Sequence, residues 1–150
     1  MAGKKGIGNV AGMRVPVLGD GFDRSSPFTL ASHADGWLQR LAELNYADST
    51  LNASVWALRL FLQWSQERAL VRPEEVSKPM LESYQGWLYR YKKADGEPLS
   101  VRTQRARLGA LQRFFSYLCK RGHLSANPAA DLDMPRKPYH ALPKVLNEDE

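Results

Sequence analysis

The chain has 150 residues, 43% hydrophobic and 25% charged, with 21 Lys and Arg against 16 Asp and Glu for a net charge of +5. Its single cysteine, Cys119, excludes an intramolecular disulfide framework, and no apolar run approaches the roughly 20 residues needed to span a bilayer. What remains is one globular domain with tails, expected in the reducing cytoplasm, whose basic balance favours polyanions such as nucleic acid or an anionic membrane surface.

Residues 1–28 carry six of the eleven glycines and no sustained period, so a flexible N-terminal arm is expected. The apolar patch at residues 13–18 is too short and too broken by Pro16 to predict a strand. Gly6-Ile7-Gly8 is no nucleotide loop, since neither a strand before it nor a GK[ST] after it is present.

From residue 29 the pattern turns helical. Thr29 or Ser32 caps a first helix with Trp37, Leu38, Leu41 and Leu44 on one side, ending near Asn45 and Tyr46. Asp48, Ser49 and Thr50 open a longer one that runs to about Leu70. Its buried side reads Leu51, Val55, Leu58 and Leu62, and Trp56, Leu60, Phe61 and Trp64 widen the apolar arc so far that this helix must be central. Ser77 caps a third helix with Pro79 in its first turn and Leu81, Tyr84, Leu88 and Tyr91 inward, and the polar turn at residues 93–98 closes it.

The fourth helix follows, from the N-cap Ser100 to Gly122, a residue suited to a left-handed helix end. Val101, Leu108, Leu111, Phe115 and Leu118 form its buried side, with Cys119 as a small core residue. Arg102, Arg105, Gly109 and Arg113 form a second stripe, with Thr103 and Arg107 on the shoulder. Residues 100–137 hold eight basic and two acidic residues, so the surplus charge of the whole chain is concentrated here. Three arginines in the first two turns work against the positive end of the helix dipole, at about 0.3–1 kcal/mol each, which suggests that a polyanion lies across them. After the helix, Asn127-Pro128 makes a turn, residues 128–132 one short helical turn, and residues 134–146 a proline-rich extended strap. Asn147 with Glu148, Asp149 and Glu150 announces a further helix, as expected of a linker leading toward another domain. Four amphipathic helices without a strand pattern define an all-α bundle. His33 and His123 have no Cys or carboxylate at metal-binding spacing and are expected to face solvent or cap a helix, with no metal or cofactor implied.

The short turn after the first helix, Ser49-Thr50, and Leu60-Phe61-Leu62-Gln63-Trp64 resemble the core-binding, SAM-like N-terminal domain of tyrosine recombinases of the phage-integrase and Xer type. Leu118, Gly122, Asn127-Pro128, Pro135, Lys137 and Leu142-Pro143 before Leu146 are similar to that family's helix-to-linker signature. One position departs from the pattern: the family often has a basic residue three after a threonine such as Thr103, where this chain has Ala106 between Arg105 and Arg107. The resemblance covers about residues 30–150. It implies a four- to five-helix bundle over residues 29–133, a linker over 134–150, and a catalytic domain beyond it that carries the tyrosine nucleophile. Tyr139, His140 and Lys144 precede that domain and receive no catalytic role.

On this reading the domain has no chemistry of its own and clamps a half-site of double-stranded DNA. It is a monomer alone and part of a tetramer on DNA in the full-length recombinase. Ser49, Thr50, Asn52 and Ser54 offer hydroxyl and amide contacts, Ser100, Arg102, Thr103, Arg105 and Arg107 supply polar and charged contacts, and Arg136 and Lys137 follow the backbone. For Ser49 and Thr50, helix capping is the competing role. A helical protein-interaction module with an acidic partner and a stand-alone DNA-binding regulator are the alternatives for the whole.

Overall fold

A computed structural model describes residues 6–10 and 12–137. Among these residues the chain forms four α-helices: α1 (Leu30–Glu43), α2 (Asp48–Glu67), α3 (Lys78–Arg90) and α4 (Val101–Lys120). The all-α bundle expected from the periodicity is therefore the architecture, with a two-stranded hairpin added to it. The last part of the expected linker, residues 138–150, lies outside the described residues.

The caps explain three of the four helix starts. Thr29 accepts the N–H of Ser32, Ser77 that of Met80 and Ser100 that of Thr103, while Pro79 occupies the first turn of α3. The start of α2 differs. Its N-cap is Ala47, which has no side-chain acceptor, so Ser49 and Thr50 sit inside the first turn and cap nothing. Helix α2 also stops at Glu67, short of the expected Leu70, because Ala69 takes a left-handed φ of 57°.

Helix α2 is the central element. Leu51, Val55, Leu58, Phe61 and Trp64 are all buried, and Phe61 sits 5.2 Å edge-on to Tyr84 of α3 and 6.1 Å from Phe115 of α4. Trp64 closes the same aromatic cluster at 5.3 Å from Tyr84, and Trp37 of α1 meets Phe114 at 5.7 Å. Edge-to-face rings of this kind add to area burial in fixing how the helices cross.

The expectation of an arm without regular structure is corrected by a hairpin. β1 (Ile7–Val10) pairs antiparallel with β2 (Met13–Pro16), Ile7 opposite Pro16, and Gly12 turns the chain at φ +79°. The hairpin is held from outside itself. Asn52 Oδ1 accepts the Gly6 N–H at 2.9 Å, and Arg59 donates to the carbonyls of Val17 and Leu18 at 2.6 and 2.9 Å. Arg14 donates to Tyr46 O at 2.7 Å and to Asp48 Oδ1 at 2.6 Å, while Leu18 is buried in the core. Two four-residue strands could not hold themselves together; polar side chains of α2 and of the α1–α2 turn supply the missing anchors.

His33 is likewise corrected. It is buried at 8% exposure with its ring 4.5 Å from that of His123, joining the start of α1 to the chain just after α4. Burial holds its pKa below the ordinary histidine value, assisted by His123 and Arg72 and opposed by Glu74. Among the described residues no group of three or more metal-ligating side chains occurs.

Candidate nucleic-acid interface

Helix α4 contains no acidic residue along its whole length. Its inner side buries Gln104, Leu108, Leu111, Phe114, Phe115 and Leu118. Gln104 reconciles its amide with burial by donating to Leu99 O at 3.0 Å. The outward stripe, at alternating four- and three-residue steps, is Arg102, Ala106, Gly109, Arg113, Ser116 and Lys120. Small residues, Ala106 with Gly109 and then Ser116, separate the three cations Arg102, Arg113 and Lys120. The Arg113 guanidinium lies beside Gly109, where an added Cβ would come within 3.5 Å of it.

The three arginines at the start of α4 diverge, and Arg102 and Arg105 do not share the stripe read from their spacing. Arg102 is exposed, and no described carboxylate pairs with it. Arg105 turns aside and donates from Nη1 to Pro135 O at 2.5 Å. Arg107 is half-buried toward Tyr84 and Tyr91, its Nε has no partner, and burial lowers its pKa. The signal that could have flagged Arg107 was its place on the shoulder of the apolar arc. Ser100 and Thr103 hold each other through a 3.0 Å hydroxyl contact while Ser100 caps the helix.

Arg105 nonetheless assembles a cationic cluster. The chain after α4 turns back along it: Gln112 donates to Ala129 O at 3.0 Å, Asn127 to Gln112 O at 3.1 Å, and Gln85 to Asp133 O at 2.6 Å. Ala129 and Leu132 are buried on the way. Pinning Pro135 to the second turn of α4 brings the exposed Arg136 and Lys137 near the helix start that carries Arg102. The strap therefore adds two exposed cations just beyond its tether to the second turn of α4.

The start of α2 lies elsewhere. Ser49 is exposed and Thr50 half-exposed, but Asn52 is committed to the hairpin and Ser54 is only 1% exposed, so neither of these two belongs to an open face. Thr50 and Ser54 border a groove of about 520 Å³ shared with Arg40 of α1 and with Arg113, Lys120 and Arg121. The α2 start therefore faces the second half of α4. Arg121 stacks on Tyr117 with its centre 5.3 Å from the ring, and the hydrogen bond to Tyr117 raises its pKa, with Glu43 adding to the effect. Reading the sequence placed the emphasis on the starts of α2 and α4 and on the strap, and missed Arg40, Lys120 and Arg121, which the ends of α1 and α4 bring together.

A helical bundle with one acid-free helix, a cationic strap laid beside its start and a basic groove at its other end has a charge distribution consistent with a polyanion-binding domain. Comparison with known proteins makes this specific. Residues 34–123 match the family described as phage integrase, N-terminal SAM-like domain, and the chain belongs to that family. It is similar to tyrosine recombinase XerC 2 of Ralstonia nicotianae, 30% identical over 128 residues that cover 85% of this chain and 37% of the relative. Tyrosine recombinase XerC of Xylella fastidiosa (strain M23) is 29% identical over 108 residues, 72% of this chain and 34% of the relative. Among solved structures, the integrase from mycobacterium phage Brujita superposes with a TM-score of 0.54 at 25% identity, over 72% of this chain and 33% of that one. The chain thus spans about a third of the length of these relatives. The family match is to their N-terminal, non-catalytic region, and the fold and charge are consistent with a DNA-binding domain.

Proposed function

We propose that this chain binds double-stranded DNA as the N-terminal domain of a site-specific tyrosine recombinase of the Xer or phage-integrase type, laying the outer stripe of α4 across a major groove. The observation that carries the reading is the composition of that stripe. From Arg102 to Arg113 the helix advances roughly 16 Å, against a major groove of about 12 Å, so cations at the two positions reach the backbones on either side. Ala106 and Gly109 between them let the helix axis approach the base edges. Ser49 of α2 adds a hydroxyl, and Arg136 and Lys137 follow the backbone away from the start of α4. Arg105 acts on the strap, not on DNA, and Arg107 braces α4 against α3. In the whole recombinase, strand cleavage belongs to another domain and this one supplies the clamp on a half-site.

The test is a fluorescence-anisotropy titration of the chain against duplex DNA over a range of salt. Phosphate contacts from Arg102, Arg113, Arg136 and Lys137 give a slope of log K on log salt of about −3.6. Binding that does not change with salt removes the reading. Arg102→Gln should weaken binding and reduce the slope by about 0.9 if it meets phosphate, or relax sequence preference at one position if it reads guanine.

A further inference from the structure

We propose that the groove between the last turn of α2 and α3 is a docking site for a partner protein, taking a short apolar segment that carries one carboxylate. The inference stands apart from the DNA-binding reading, because no residue of this groove belongs to α4, to the strap or to the start of α2. Trp64 and Arg68 line one wall, and Pro79, Gly86, Trp87 and Arg90 of α3 line the other. Its volume of about 480 Å³ falls in the range of pockets that enclose small ligands or a few side chains.

Three observations point to an occupant. First, Trp64 is 1% exposed, and its Nε1 is buried with no hydrogen-bond partner among the described residues. An indole N–H can only donate, and a buried donor without an acceptor costs free energy that an incoming oxygen would recover. Ser65, Tyr84 and Arg107 also hold buried atoms of this kind, but none of them borders this groove. Second, two guanidiniums meet there. Arg68 lies over the Trp64 ring, 4.5 Å from its centre, held by Trp64 O at 3.1 Å and Glu67 at 3.6 Å. Arg90 is exposed and makes no hydrogen bond or ion pair with a described residue. Third, Gly86 sits inside α3, where glycine weakens a helix and no turn calls for it. A Cβ there would stand 3.3 Å from Arg90 Nη1, so the missing side chain leaves the Arg90 guanidinium its place at the groove wall.

The charges select the class of occupant. A guanidinium forks onto a carboxylate, and Trp87 and Pro79 offer apolar surface on either side of it. Glu82 lines the same groove without a cationic partner among the described residues, Glu67 already engages Arg68, and the end of α2 contributes the negative pole of its dipole. A nucleic-acid backbone, charged at every link, meets repulsion here that it does not meet on the acid-free α4. One carboxylate between apolar side chains does not.

The experiment follows the four tryptophan indole N–H resonances of the isotope-labelled chain by NMR. The titrants are a panel of end-blocked tetrapeptides with one Asp or Glu among Leu and Phe, each paired with its Asn or Gln counterpart, and separately a short DNA duplex. The expected result is a saturable shift of the Trp64 and Trp87 indoles with acidic members of the panel and none with their amides. Arg90→Gln, which removes no bond of the fold, should weaken that binding by about tenfold or more and leave the salt dependence of duplex binding unchanged. A panel that moves neither indole overturns the proposal, as does equal binding by acid and amide or by the Arg90→Gln variant. Duplex that displaces the peptide makes the groove a nucleic-acid seat, and indole shifts that grow with protein concentration alone make the occupant a second copy of the chain; either result overturns it as well. Loss of duplex binding with the peptide result intact would remove the DNA-binding reading and leave the docking site standing.

Discussion

Arg105→Ala separates two roles that spacing alone made equivalent. The guanidinium donates to Pro135 O, a charged donor on a neutral carbonyl, and such bonds contribute about 1.5–3 kcal/mol. Arg105 is half-buried, so the lower end applies, and about 1–2 kcal/mol should be lost locally. The second tether, Gln85 to Asp133 O, survives, so the strap frees itself from residue 134 onward while the bundle stays folded. Backbone order parameters at Met134, Arg136 and Lys137 should then fall below about 0.6, with those of the α2 core unchanged. DNA affinity should fall because Arg136 and Lys137 lose their fixed position, and Arg105→Lys should not restore it, since a point ammonium does not reproduce the reach of the guanidinium. Unchanged order parameters in the strap, together with a slope lowered by about 0.9 and rescue by lysine, would show instead that Arg105 touches phosphate directly.

Phe61→Ala removes the ring shared by α2, α3 and α4 and should cost about 3–5 kcal/mol in urea unfolding; a loss under 1 kcal/mol would mean the aromatic cluster is not the centre of the core. Gly6→Val should detach the hairpin, because even a Cβ there stands 2.7 Å from Asn52 Oδ1 and 3.0 Å from Val55 Cβ; faster exchange in residues 7–16 with an intact bundle is the expected signature. His33 is held neutral by burial in the folded state, so the unfolded chain binds its proton more readily. Stability should be full above the ordinary histidine pKa of about 6.5 and decline as pH falls from there through the lower folded value. His33→Phe should flatten that part of the profile, and an equally steep decline in the variant would assign the effect to other groups.

Much of the bundle was legible because its signals are local. Thr29, Ser77 and Ser100 cap within three residues of themselves, Gly122 ends α4 at φ +78°, and the apolar arc of α2 announces a helix enclosed on most sides. The hairpin was not legible, because its strands are too short to carry a period and what fixes them lies some 30 to 45 residues away in Arg14's partners, Asn52 and Arg59. Part of the interface shared that fate. Ser54 and Asn52 looked like free polar groups on α2, and packing buried one and engaged the other.

The sequence by itself determined where the helices run, which sides they bury, and that α4 and the residues after it carry the surplus positive charge. These follow from periods of three to four residues and from simple residue counts. Only the tertiary structure decided where the cations point. An arginine has a long, flexible side chain whose direction is set by whichever carbonyl or ring lies in reach, so Arg102 faces outward, Arg105 grips Pro135 and Arg107 turns toward Tyr84. The folding back of the chain after α4 tethered the strap to the second turn of that helix, and the packing of α1 on α4 brought Arg40 and Arg121 to the rim of one groove.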